Sequence, residues 1–177
     1  MKTKRMILVA AFIFGGFTMA KAQKTDAIIT KPQIINASAD EVWGRLRKLD
    51  KVEELTPDFI GDSWVAGPIG VGATRSCSAP GETRKTAGNP AFTETILAYD
   101  DEKRFYSYAV AGVPAKNMVN SFKVVDLGYQ KCMVVWTSSG WTFMEYPQMN
   151  KKQFMGFLDT VSNQMMAQLY ELHNAKS

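Results

Sequence analysis

The sequence predicts an α+β domain in which a curved antiparallel sheet of about seven strands wraps around one long C-terminal helix. Three observations lead to that fold class. Turn-punctuated segments of alternating polar and apolar residues fill positions 58–141, which is how strands and hairpins read. One apolar stripe at helical spacing occupies positions 154–172. Ahead of the strands stands a helix-start signal followed by a short amphipathic segment. A sheet built this way keeps one face wet and turns the other toward the helix.

In chain order, residues 27–36 (AIITKPQIIN) read as a strand interrupted or bent at Pro32. Ser38, with Glu41 three residues on, forms a capping box. Ala39, Val42, Trp43 and Leu46 then fall at helical spacing, so a short helix follows. LDKVEELTP reads as a second short helical turn, stopped at Pro57. Six candidate strands come next: FIGDSWVAG, GATRSCS, FTETILAY, RFYSYAV, NMVNSFKVV and KCMVVWTSSGW. Two of their connections are more than turns: the long polar segment 79–91 and the short AGVPAK at 111–116. Asn150 caps the last helix with Gln153 at its N3 position. Phe154, Phe157, Leu158, Val161, Met165, Leu169 and Leu172 make its stripe.

Residues 1–22 read as a signal peptide. Lys2, Lys4 and Arg5 form a basic start, residues 6–19 an apolar run, and Ala20 and Ala22 supply small residues before a cut ahead of Gln23. The run is shorter than the ~20 residues that span a bilayer. The expectation is an exported protein, periplasmic or secreted and of bacterial type, with one domain over residues 23–177 and no transmembrane segment in the mature chain. Export changes the charge balance. The chain holds 21 Lys and Arg against 17 Asp and Glu, and four of the basic residues (Lys2, Lys4, Arg5, Lys21) lie in the leader, leaving 17 of each sign. A nucleic-acid partner is not expected from a domain without a basic excess.

Catalytic and metal signatures are sparse. His173 is the only histidine, and Cys77 and Cys132 are the only cysteines. No HExxH, CxxC or Cys/His cluster is present, so neither a metal site nor a cofactor is expected. A Ser–His–Asp triad would have to use His173, and nothing nearby reads as a nucleophile elbow.

ADEVWGRLRKLDKVEELTPDF, VGATR, TETILAYDDEKRFYSY and VVW before the final helix occur in an order that resembles the START/Bet v 1-like (SRPBCC) superfamily, in its polyketide cyclase/dehydratase-like branch. The resemblance covers the whole mature chain and implies the helix-grip fold, with two short helices after the first strand. It extends to the layout of the plant abscisic-acid receptors. It sets their gate loop at 79–91, their latch loop at 111–116 and a pocket glutamate at Glu94. A second pocket glutamate of theirs falls at Trp136. The receptor gate motif is absent, so neither that hormone nor its gating carries over. The same resemblance separates Cys77 and Cys132 on strands that are not neighbours, which leaves both unpaired.

Glu94 is the residue on which function turns. Alternation groups it with Ile96 and Ala98, against Thr93, Thr95, Leu97 and Tyr99, without saying which set is inside. The resemblance points it into a cavity. There it needs a donor, for which Tyr106, Tyr108, Ser121 or a water cluster are the candidates. The expected ligand-binding set is Glu94, Tyr106, Tyr108, Ser121, Trp136, Phe157, Val161 and Met165, a mostly apolar wall with a few polar groups. Segment 81–85 (GETRK) reads as a solvated loop, or else as an entrance lid presenting Arg84 or Lys85 to an acidic ligand. The function expected is binding of an apolar or aromatic small molecule (lipid, polyketide or isoprenoid-like). Two alternatives stand beside it. One is a cyclase or dehydratase with Glu94 as general acid or base; the other is an accessory protein with a protein partner.

Overall fold

The computed structural model describes residues 28–174. The leader and its junction at residue 23 lie outside the described residues. Within them the strands are β1 (Ile29–Ile35), β2 (Ser63–Ala66), β3 (Thr74–Cys77), β4 (Phe92–Asp100), β5 (Phe105–Ala111), β6 (Ala115–Lys116), β7 (Val119–Gly128), β8 (Lys131–Ser139) and β9 (Thr142–Phe143). The helices are α1 (Ala39–Leu46) and α2 (Lys151–Asn174), with a 3-10 turn at Val52–Glu54. Seven strands form one antiparallel sheet in the order β1-β8-β7-β5-β4-β3-β2, and β6 pairs with β9 alone. This is the helix-grip layout.

The helix caps form as the sequence foretells. The Ser38 hydroxyl accepts from the Glu41 amide at 3.2 Å, and Ala39, Val42, Trp43 and Leu46 are buried. At α2, the Gln153 amide donates to Asn150 Oδ1 at 3.0 Å, and the Asn150 amide donates to Gln153 Oε1 at 2.8 Å. That reciprocal box fixes where the long helix begins.

Two expectations need correction. Pro32 does not interrupt the first strand, because β1 pairs with β8 without a break from Ile29 to Ile35. The strand lies at the edge of the sheet, where a missing N–H deprives no neighbour of a partner. Nor does Ala98 share the face of Glu94 and Ile96. A bulge at Leu97 shifts the β4–β5 register, so that Ala98 stands opposite Ser107 and Tyr99 opposite the buried Tyr106. The extra residue turns the rest of the strand over.

The inner face carries three apolar clusters, two of them against the long helix. The larger joins α1 and the end of α2 to the sheet through Trp43, Tyr106, Phe122, Val134 and Leu169. The smaller gathers Met118, Trp141, Phe154 and Leu158 beneath the start of α2. No helix among the described residues is long and apolar enough to cross a membrane. Cys77 and Cys132 are free and buried, on β3 and β8 with three strands between them.

Candidate ligand site

β3 and β4 place the central feature of the inner face. Ala73, Arg75 and Cys77 all point inward, so the alternation that buries two small residues buries an arginine between them. Arg75 stands directly across from Glu94 in the β3–β4 ladder. Its Nε donates to Glu94 Oε2 at 2.5 Å, and its Nη2 completes an ion pair with the same oxygen. Arg75 Nη1 donates to the Leu49 carbonyl at 3.0 Å, holding the turn after α1, where Leu49 and Lys51 both have positive φ. The guanidinium also lies over the Tyr108 ring, 5.3 Å from its centroid.

Glu94 therefore points inward, and its partner is a residue outside the predicted set. Tyr106, Tyr108 and Ser121 are not its principal donors; Arg75 is. The pair is almost fully enclosed, with Arg75 3% and Glu94 6% exposed. Burial by itself would lower the arginine's pKa. The Glu94 charge, helped by Tyr106 and Tyr108, outweighs burial and holds the guanidinium protonated more firmly than usual. Burial pushes the Tyr106 hydroxyl up to about 12 and moves Tyr108 well above its ordinary value, with Glu94 adding to the second shift. Both tyrosines thus keep a proton to donate at neutral pH.

This pair stands between two hollows. Toward the start of α2 is a cavity of about 130 Å³ whose wall includes Phe59, Val110, Val113, Met118, Trp136 and Phe157, with Thr56, Glu94, Tyr108 and Asn120 as its polar groups. Toward α1 and the end of α2 is a cleft of about 680 Å³ with Arg75 and Tyr106 in its lining and Glu41, Arg45, Lys51, Glu54 and His173 around it. The Trp136 indole donates to the Tyr108 hydroxyl at 3.1 Å. Where the cavity meets solvent, Phe157 (37% exposed) meets the half-buried Phe59 edge to face at 5.4 Å.

The structure brings six of the eight predicted residues to one cavity: Glu94, Tyr108, Trp136, Phe157, Val161 and Met165. Tyr106 is on the same sheet face but borders the cleft instead. Ser121 does not face the cavity. On β7 the buried positions are Asn120, Phe122 and Val124, so Asn120 takes the place expected for Ser121. Its signal was present: Asn120 shares parity with apolar Phe122 and Val124, whereas Ser121 shares parity with Lys123. Arg75 shares parity in the same way with Ala73 and Cys77.

Segment 79–91 is tied to the far edge of the sheet and lines no part of the cavity. The Arg84 amide donates to Asp62 Oδ2 at 2.8 Å, its guanidinium lies over the Trp64 ring, and Ser78 Oγ donates to the Glu82 carbonyl. Gly61 permits this docking, because a Cβ there would sit 2.2 Å from the Glu82 carbonyl oxygen. Arg84 is therefore held by β2 and its approach, not poised over a ligand. The 111–116 connection does reach the cavity, through Val113. Gly112 (φ +91°) lets it pass close to the Phe92 backbone.

With this geometry in hand, comparison with known proteins is informative. The family described as polyketide cyclase / dehydrase and lipid transport matches residues 26–161. The chain belongs to that family. No curated protein matches it. Among solved structures, the Bacillus cereus protein XoxI has a TM-score of 0.68 at 17% identity, covering 84% of this chain and 96% of its own. Norcoclaurine synthase from Thalictrum flavum has a TM-score of 0.56 at 18% identity, covering 85% and 98%. The di-domain ARO/CYC BexL of the BE-7585A biosynthetic pathway has 0.63 at 15% identity, covering 82% of this chain and 46% of its own. At such identities the likeness is one of fold, and it agrees with the family match.

Proposed function

We propose that this protein is an exported binder of a small, largely apolar molecule, held in the cavity between the sheet and α2. The observation that carries the reading is the wall itself: aromatic and aliphatic side chains surround a few fixed polar groups, the usual composition of a small-molecule site. The family's description, which includes lipid transport, supports it. A volume of about 130 Å³ is that of roughly one ring, since a dry cavity of about 150 Å³ holds benzene. A lipid, polyketide or isoprenoid would place one ring or one short segment there unless Phe59 and Phe157 part.

The test is thermal stabilisation by single-ring aromatic compounds, in the natural chain and in Val110→Phe, which fills the space. Stabilisation that vanishes in the filled variant supports the reading. Stabilisation equal in both variants, or absent from both, sinks it. Export rests on residues 1–22 alone; N-terminal sequencing of the native protein should begin at Gln23.

A second reading, cyclase or dehydratase chemistry, draws on Glu94 being the acid/base side chain of the cavity wall and on the family description. In it Glu94 would move a proton on the bound molecule while Arg75 stays charged beside it. Binding without turnover across a panel of cyclisable poly-β-ketone substrates would remove this reading and leave the first intact.

A further inference from the structure

The polar end of the cavity contains an unanswered group. Asn120 is 6% exposed and lines the cavity, yet its Oδ1 has no hydrogen-bond partner. Glu94 differs, because Arg75 already neutralises it. Across the β5–β7 ladder from Asn120 stands Tyr108, whose hydroxyl accepts from Trp136 and retains its own proton to give. Across the β7–β8 ladder stands Ser138, whose buried Oγ is also unpartnered. A buried carbonyl oxygen left unmatched is costly, and it turns costly into selective when a ligand brings the missing donor.

We propose that the ligand is a single-ring molecule carrying a hydroxyl group, its ring against the apolar wall and its hydroxyl between Asn120 and Tyr108. This rests on the reading of the cavity as a ligand site. The hydroxyl donates to Asn120 Oδ1 and accepts from the Tyr108 hydroxyl. A hydroxyl does both through a single atom, which suits the small space left at that end. It would also satisfy the amide turned the other way, by accepting from the Asn120 nitrogen. The cavity's volume, about 130 Å³, limits the occupant to one ring, and the aromatic walls suit a flat one.

Phenol and toluene, nearly equal in size, decide the matter by titration calorimetry on the full chain. An apolar hollow favours toluene, because phenol gives up hydrogen bonds to water on entering. The natural chain should instead bind phenol about tenfold more tightly, the value of one net hydrogen bond. Asn120→Leu, similar in size and free of the unmatched oxygen, should reverse the order. Equal binding, or a preference for toluene, in the natural chain overturns the proposal while leaving the cavity a ligand site. A phenol preference that persists in Asn120→Leu overturns the assignment to Asn120. Failure of both compounds to bind removes the underlying reading as well.

Discussion

The cleft beneath α1 and the cavity beneath α2 share one partition, made of Arg75–Glu94 and Tyr106 beside Tyr108, but their walls have opposite chemistry. In the larger cleft charged side chains dominate the wall: Arg45 pairs with Glu54 at 2.6 Å and Lys51 with Glu54 at 3.3 Å, His173 Nδ1 lies 3.4 Å from Glu41 Oε1, and Lys48 and Asp50 stand beside them. Water is an adequate occupant of such a space. In the smaller cavity the apolar walls leave water poorly bonded away from the Asn120 end, and displacing it there with an apolar group is favourable. Volume therefore does not identify the ligand site. The difference in how well each wall satisfies water is what favours the smaller cavity as the proposed site.

The comparison breaks most readily at the partition. Glu94→Leu leaves a guanidinium buried without its counter-charge, and Arg75→Met leaves a carboxylate in the same position. Each should cost about 3–5 kcal/mol in urea unfolding. The double variant should recover most of the loss, because an apolar pair of similar volume does without either charge. Arg75→Met should remain the costlier single change, since it also releases the Leu49 carbonyl. Additive losses in the double variant would show that the two residues do not act as a pair. The same argument makes Glu94→Gln an impure probe of catalysis, since it weakens the partition along with any acid or base.

Next come two phenylalanines one helical turn apart on α2. Phe154 is fully buried and meets Trp141 edge to face at 5.5 Å, so Phe154→Ala should cost about 3–5 kcal/mol. Phe157 borders the cavity mouth and already lacks neighbours on one side. Phe157→Ala should cost under about 1 kcal/mol and should speed ligand exchange. Equal costs would mean that the mouth is closed as tightly as the core.

Alkali tests the tyrosines of the partition. Below pH 10 the Tyr106 hydroxyl is protonated in both folded and unfolded chains. Between its ordinary value of 10.0 and about 12 only the unfolded chain ionises, so stability present at neutral pH is lost as pH rises through that window. The loss should be on the order of 2–3 kcal/mol, with Tyr108 adding to it. Phenolate absorbance should show Tyr106 and Tyr108 ionising only as the protein unfolds, and Tyr106→Phe should flatten the loss.

These effects also show what the sequence could and could not convey. The helix caps at Ser38 and Asn150, the seven strands of the main sheet and the long helix are local patterns, and they are legible as such, whereas the two-residue strands β6 and β9 are too short to read. The six expected residues that line the cavity came mainly from the family resemblance, with strand parity and apolar bulk supporting Tyr108 and the helical stripe of α2 supporting Phe157, Val161 and Met165. Arg75 stayed hidden because a lone arginine in an alternating strand reads as solvent-facing until the register sets it opposite Glu94. Register is a property of two segments, and neither one states it. The bulge at Leu97 was hidden for a related reason: one extra residue reverses the parity of Tyr99 and Ala98 while leaving the composition of the strand unchanged. The docked course of segment 79–91 depends on Gly61 and Asp62, which lie about twenty residues upstream.

The smallest expected effect belongs to Ser121, and it sharpens the comparison between the two faces of one strand. Ser121 stands between Ser107 on β5 and Thr137 on β8, on the face away from α2, while Asn120 beside it faces the cavity. Ser121→Ala removes a half-buried hydroxyl for which water is an equivalent partner. Stability should move by no more than about 0.5 kcal/mol, and phenol affinity should stay within twofold. Asn120→Leu, one residue earlier, should change affinity about tenfold. A strand reverses its side chains at every step, so the contrast between adjacent positions measures which face carries the ligand. If Ser121→Ala altered binding as strongly as Asn120→Leu, the ligand would lie outside the sheet, and the cavity would be packing space only.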